Sequence, residues 1–310
     1  MHYIPFKIVH FIHHSVKLGK KYLNLALVVV PITILTNMIN LFKNQWEQID
    51  RAETHPRTMR NVVKMPWEEF KKEVLAQEPK FVKDIVNSIY AGDVYVLKKA
   101  YAEEFCNDLM FKVFTWGKSR PESFYKIVEG CHDFHRVVNK ELAKNYSFER
   151  IMHHYYFYRW NDDPLNIWEP INERWSILKF LGGFRLDEYI NNTPKDGIVD
   201  RIHIHHYPAG AGEIETHSDP YENQRTIMGA QISHKGIDYH SGGLYFVNQE
   251  GEKIDVEKDI QIGDTYIAFP TVHHGVEMID RGTTVDWKNM SGRWFLGFYS
   301  AASDEVKNRH

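Results

Sequence analysis

The chain carries His217-Ser218-Asp219 and, far downstream, His273-His274-Gly275-Val276. Two imidazoles and one carboxylate in the order His-x-Asp…His can occupy one face of an octahedral ferrous ion, leaving three positions open for a bidentate cosubstrate and dioxygen. No thiolate joins the set, which argues against a structural zinc knot. In a strand, residues i and i+2 point to the same side, so His217 and Asp219 can bind one ion from a single strand or its fraying end. His274 then has to arrive from a distant strand that folds back beside it. Of the neighbours His273 and His274, only one can face the metal. With 18 histidines in the chain, His-x-Asp alone is weak, and its surroundings decide its weight.

Those surroundings read as short strands separated by turns. Residues 204–216 are an extended run interrupted by Pro208, Gly210 and Gly212 just before the His-x-Asp pair. Gly242 and Gly243 precede Leu244-Tyr245-Phe246; residues 262–270 and 291–299 supply further strands. Along the last of these, Arg293, Phe295 and Gly297 alternate with Trp294, Leu296 and Phe298. An arginine facing a barrel interior requires an anion. The pattern is that of a barrel or jelly roll.

Residues 200–300 resemble the catalytic core of the 2-oxoglutarate- and Fe(II)-dependent dioxygenases, nearest the prolyl 4-hydroxylase-like branch. The matching positions are Tyr207 with Gly210, His217 with Asp219, Gly263-Asp264, His274 with Val276, and Gly292-Arg293. Gly242-Gly243 with Phe246 is a looser match, one residue short of the pattern. The elements occur in the family's order over about a third of the chain.

The resemblance implies an α+β fold: a double-stranded β-helix (jelly-roll or cupin-like) core with supporting N-terminal helices. It implies that His217, Asp219 and His274 hold Fe(II), with His274 selected over His273 by the His-x-Val match. Arg293 would receive the distal carboxylate of 2-oxoglutarate, for which a planar guanidinium is suited. Tyr207 is either a second donor to that cosubstrate or a core aromatic with a satisfied hydroxyl. Arg281 is the competing arginine, because Arg293 follows His274 at a longer interval than the family's, with residues 282–290 reading as an inserted loop. The implied reaction uses O2, with ascorbate as an optional reductant, releases succinate and CO2, and hydroxylates an unactivated C–H of an amino acid, peptide or small metabolite. Halogenating relatives carry a small residue at the position of Asp219, so halogenation is disfavoured. Two alternatives stay open: a cupin-type oxygenase or isomerase that does not use 2-oxoglutarate, and a noncatalytic membrane-associated barrel. Arg293 has a clear use only with a dicarboxylic cosubstrate, and the complete triad disfavours a degenerate scaffold.

Composition sets the outer bounds. The 310 residues are 43% hydrophobic, enough for one sizeable catalytic domain, here 66–310, preceded by an N-terminal segment over 1–65. A net charge of −3 gives no general attraction to nucleic acid. Cys106 and Cys131 form no Cys-x-x-Cys pair, which fits free thiols in a reducing compartment. Residues 22–42 contain no charge and are largely apolar, near the roughly 20 residues that cross a bilayer. Asn24, Pro31, Asn37 and Asn40 oppose insertion. The segment is thus a membrane anchor or surface helix, or a helix packed on the catalytic domain or in an oligomer interface. The localisation expected is cytoplasmic or membrane-associated through that segment, and the oligomeric state is not legible.

Between these parts, residues 44–65 read as a polar connector. Helices are expected from Pro66, over 80–91, over 100–115 and over 164–180, the last ended by Gly182 and Gly183, with a short strand at 92–97. His132, His135, His153 and His154 read as structural or surface histidines, with His132 and His135 spaced to share a helix face. His203 and His205 alternate along a strand, either lining the pocket or packing in the core.

Overall fold

The computed structural model describes residues 39–52 and 54–305. Most of the apolar stretch over 22–42 lies outside the described residues. Among the described residues, no helix is long and apolar enough to cross a membrane.

Helix α1 (Leu41–Ile49) is capped by Asn40, whose Oδ1 accepts from the Phe42 amide at 2.9 Å. Phe42, Trp46 and Ile49 recur at helical spacing and are buried. The Trp46 indole donates to the Leu181 carbonyl at 2.7 Å. The connector expected over 44–65 is corrected at its start: residues 44–49 belong to this packed helix, and the described residues from 50 to 61 form the irregular link to the first strand. Strand β1 (Val62–Pro66) pairs in parallel with β2 (Val94–Lys98), so the boundary expected after residue 65 falls inside a strand.

Pro66 ends β1 and leads into α2 (Trp67–Ala76), with Glu68 and Glu69 in the first turn where the helix dipole favours acids. Helices α3 (Pro79–Tyr90) and α4 (Glu103–Lys118) follow close to their expected positions. After β3 (Phe134–Val138), the short α5 (Lys140–Ala143) and β4 (Arg150–Tyr158) comes α6 (Trp168–Leu181). It starts four residues later than Pro164, because the Asp163 carboxylate accepts from the Ile167 and Trp168 amides, each at 3.0 Å. Gly183, at φ +82°, ends it, and the Phe184 amide closes back on the Lys179 carbonyl at 3.1 Å.

The remaining strands are β5 (Ile198–Pro208), β6 (Glu213–His217), β7 (Ile227–Gln231), β8 (Gly243–Val247), β9 (Lys253–Asp255), β10 (Thr265–Ala268), β11 (His274–Glu277) and β12 (Gly292–Ala302). Their lateral order is β1-β2-β10-β7-β12-β5-β4-β6-β11-β8-β9, with β3 on β4. One antiparallel sheet contains β10-β7-β12-β5, and the other contains β6-β11-β8-β9. The chain passes between them in the alternation that defines a double-stranded β-helix, as expected. Strand β4 joins the two: its first residues pair with β6 and the rest with β5. Inward residues from both sheets, among them Met228, Leu244, Val276 and Phe295, share one buried core.

Candidate active site

Strand β6 ends at His217 and β11 begins at His274, and the two residues are direct cross-strand partners. Their rings lie 4.4 Å apart between centroids. Asp219 sits just past the end of β6, where its amide donates to the Pro270 carbonyl at 2.9 Å. Its Oδ1 is 3.9 Å from His217 Nε2 and its Oδ2 is 3.6 Å from His274 Nε2. One ligand atom from each of the three lies within 4.8 Å of the others. The chain thus brings all three expected ligands together.

The hydrogen bonds behind the rings fix which nitrogen faces inward. His217 Nδ1 donates to the Glu215 carbonyl at 2.8 Å, and His274 Nδ1 donates to the Val272 carbonyl at 2.9 Å. A carbonyl can only accept, so each Nδ1 carries a proton and each Nε2 is left as the ligand atom facing Asp219. Phe148 stacks on His217 at 4.5 Å, and Phe246 on His274 at 5.4 Å. Burial, with the neighbouring His274, lowers His217 to about 4, so its ring is neutral at pH 7. Burial pushes the Asp219 carboxyl up, but the proximity of His274, with His217 behind it, outweighs that and holds it below the usual range. Two imidazoles oriented by their Nδ1–H bonds and a carboxylate are a donor set that fits a divalent iron ion. His273 is not among the residues lining the cavity beside these groups.

That cavity is lined by the triad together with Tyr207, Tyr266, Arg293, Phe295 and Tyr299. Arg293 lies on β12 opposite Tyr207 of β5 and is buried, whereas Arg281 is exposed on the loop before β12. The free space is ≈ 50 Å³, small beside the roughly 300–1,000 Å³ of common ligand pockets.

Glu257 is the site residue that sequence reasoning missed. Arg293 Nε donates to its Oε1 at 2.8 Å, the Leu244 amide donates to Oε2 at 2.8 Å, and the Tyr239 hydroxyl also donates to Oε1. Burial pushes the Glu257 carboxyl up, but Arg293 outweighs it and keeps it ionised. The same ion pair raises Arg293 against its own desolvation. Glu257 lies in a short 3-10 turn after β9, in a charged run that has no spacing signal.

His132, His135, His153 and His154 divide into buried structural residues and one surface residue, as expected. His135 belongs to β3 rather than a helix, and His135, His153 and His154 are buried, with only His132 of that group exposed. Register explains the burial: on β4 and β5, His154 faces His205, and Tyr156 faces His203. His154, His203 and His205 thereby gather on one face, with His154 Nδ1 and His203 Nε2 sharing a proton bridge at 2.7 Å. His205 lines the triad cavity. Tyr207 is buried, its hydroxyl 3.5 Å from His205 Nδ1.

No family model matches the sequence. No curated protein matches it either. Among solved structures, the chain is similar to a Pseudomonas putida prolyl-4-hydroxylase at 14% identity and TM-score 0.40, covering 67% of this chain and 91% of that one. It is similar to a full-length Neurospora crassa protein, solved in complex with alpha-KG and thymine, at 12% identity and TM-score 0.47, covering 81% and 88%. A third likeness is to a Trichoplax adhaerens prolyl hydroxylase, solved with a hypoxia inducible factor peptide fragment, at 14% identity and TM-score 0.46, covering 77% and 92%. The fold of the present chain stands on its own strand order and register.

Proposed function

We propose that this protein is an Fe(II)- and 2-oxoglutarate-dependent dioxygenase that hydroxylates an unactivated C–H of an amino acid, peptide or small metabolite. The observation that carries this is the pair of Nδ1–H bonds from His217 and His274 to backbone carbonyls, which turn both Nε2 atoms onto Asp219 in a cavity shared with buried Arg293. His217, Asp219 and His274 would hold the iron. Arg293 would bind the distal carboxylate of 2-oxoglutarate through the donors not committed to Glu257, and Tyr207, which lines the same cavity, would assist. Iron with 2-oxoglutarate and O2 supplies the oxidant, with succinate and CO2 as co-products. The protein's part is to orient these groups and keep water out: Phe148 and Phe246 cover the histidine rings, and Phe295 and Tyr266 wall the cavity.

A cupin-type activity without 2-oxoglutarate would use Arg293 only as the buried partner of Glu257 and give no role to its place on the cavity wall. Equilibrium Fe(II) binding tests the metal half of the proposal. One ion per chain is expected, lost in His217→Ala and His274→Ala but retained in His273→Ala. Undiminished binding in both triad variants would refute the assignment.

A further inference from the structure

Arg136, Arg150 and Arg201 lie on β3, β4 and β5, and none has a carboxylate within ion-pairing distance among the described residues. Other part-buried arginines are matched: Arg159 by Asp200, Arg225 by Asp50 and Arg174 by Glu173. The Nε atoms of Arg150 and Arg201 are buried and without any hydrogen-bond partner. Instead the three guanidinium groups lie over aromatic faces. Arg150 sits 4.2 Å from the Phe148 ring and 4.4 Å from Tyr146, Arg136 lies over Phe124 at 4.8 Å, and Arg201 lies over Tyr156 at 5.1 Å and Tyr299 at 5.6 Å.

These aromatic contacts lead to the triad. Phe148 is the ring that stacks on His217, and Tyr299 lines the triad cavity. His154, His203 and His205 lie between, and His205 Nε2 is a buried atom without a partner. We propose that this face is a substrate subsite for a carboxylate or phosphate group, held by Arg150 and Arg136, whose guanidinium groups share the Tyr146 ring at 4.4 and 5.5 Å, so that an uncharged part of the same molecule reaches the metal past Phe148. The proposal rests on the oxygenase reading of the triad cavity and names the substrate class: an anionic small molecule.

Charge decides between an anion and a second metal ion at the three histidines. Burial, and the arginine charges with it, hold His154 and His203 far below the ordinary imidazole value. Neutral rings cannot offset three guanidinium charges, and a dication there would add to them with no carboxylate to share it. An anion matches them, and planar guanidinium groups bind carboxylate or phosphate through paired hydrogen bonds.

The test uses the full chain, loaded anaerobically with Fe(II) and saturating 2-oxoglutarate so that Arg293 is engaged. Phenylacetate, phenyl phosphate, benzyl alcohol and benzylammonium are titrated by calorimetry. One or both anions bind, the first two arms telling carboxylate from phosphate, and the neutral and cationic probes bind far more weakly. Arg150→Gln and Arg136→Gln each weaken the anion roughly tenfold or more, and Arg150→Lys recovers part of the loss. Equal affinity for benzyl alcohol, unchanged affinity in both glutamine variants, or a second metal equivalent lost in His154→Ala would overturn the proposal. The two readings fail separately. Arginine-dependent anion binding without a 2-oxoglutarate charge-transfer band sinks the oxygenase reading alone, and the band without anion preference sinks only the subsite.

Discussion

Arg293 donates from Nε to Glu257 Oε1 at 2.8 Å, with both side chains buried and Arg293 lining the cavity of His217, Asp219 and His274. The guanidinium is therefore held in place before any cosubstrate arrives. Glu257→Gln leaves that charge unmatched, which costs about 3–5 kcal/mol of stability. Because 2-oxoglutarate would restore a carboxylate to Arg293, its thermal shift should be larger in Glu257→Gln than in the parent, and absent in Arg293→Ala. Differential scanning fluorimetry reads both. An identical shift in all three proteins would detach Arg293 from the cosubstrate.

A second buried charge cluster fastens α6 to the main sheet. Asp200 on β5 accepts from Arg159 at 2.8 Å and from Lys179, and the Ser300 hydroxyl donates to its other oxygen at 3.0 Å. Desolvation pulls Lys179 down to about 8, against the attraction of Asp200. Asp200→Ala strands two buried cations and should lose about 3–5 kcal/mol in urea unfolding. Lys179→Met, which leaves the Arg159–Asp200 pair, should lose distinctly less. The reverse ranking would contradict this picture.

Asp133 gives a pH dependence with a defined sign. Burial pushes its carboxyl up to about 6, despite bonds from Asn161 and the Tyr158 amide. Its folded value exceeds its unfolded one, so the folded state holds the proton more tightly between the ordinary carboxylate range and about 6. Stability therefore falls as pH rises through that window, and the loss persists above it. Asp133→Asn keeps the acceptor oxygen and removes the charge. The variant should gain about 2 kcal/mol over the parent at pH 7.5 and nothing near pH 4, measured by denaturant melts at the two pH values.

Gly229 on β7 makes room for the cavity wall. A Cβ there would lie 2.1 Å from Phe295 Cζ, and Phe295 lines the triad cavity. Gly229→Ala should cost about 1–3 kcal/mol and weaken 2-oxoglutarate binding with Fe(II) affinity retained. Weakened iron binding with unaltered 2-oxoglutarate affinity would show that Phe295 does not shape the cosubstrate space.

Much of this was written in local patterns. His217, Asp219 and His274 are legible because an i, i+2 pair and a Gly-Val-flanked histidine each have a local signature, and Arg293 because β12 alternates cleanly. What escaped depends on register. The grouping of His154 with His203 and His205 exists only because β4 and β5 pair as they do. Glu257 reaches Arg293 from a turn remote in sequence. Helix α1 is a different case: Phe42, Trp46 and Ile49 had helical spacing, masked by the polar residues between them.

The most direct test of the central claim is anaerobic addition of Fe(II) and then 2-oxoglutarate to the purified protein, followed by visible absorption. A metal-to-ligand charge-transfer band should form at one equivalent of each, vanish in His217→Ala and weaken in Arg293→Ala. Iron binding without a 2-oxoglutarate band would point to a metal barrel of another chemistry, and a folded protein that takes up no iron would contradict the account outright.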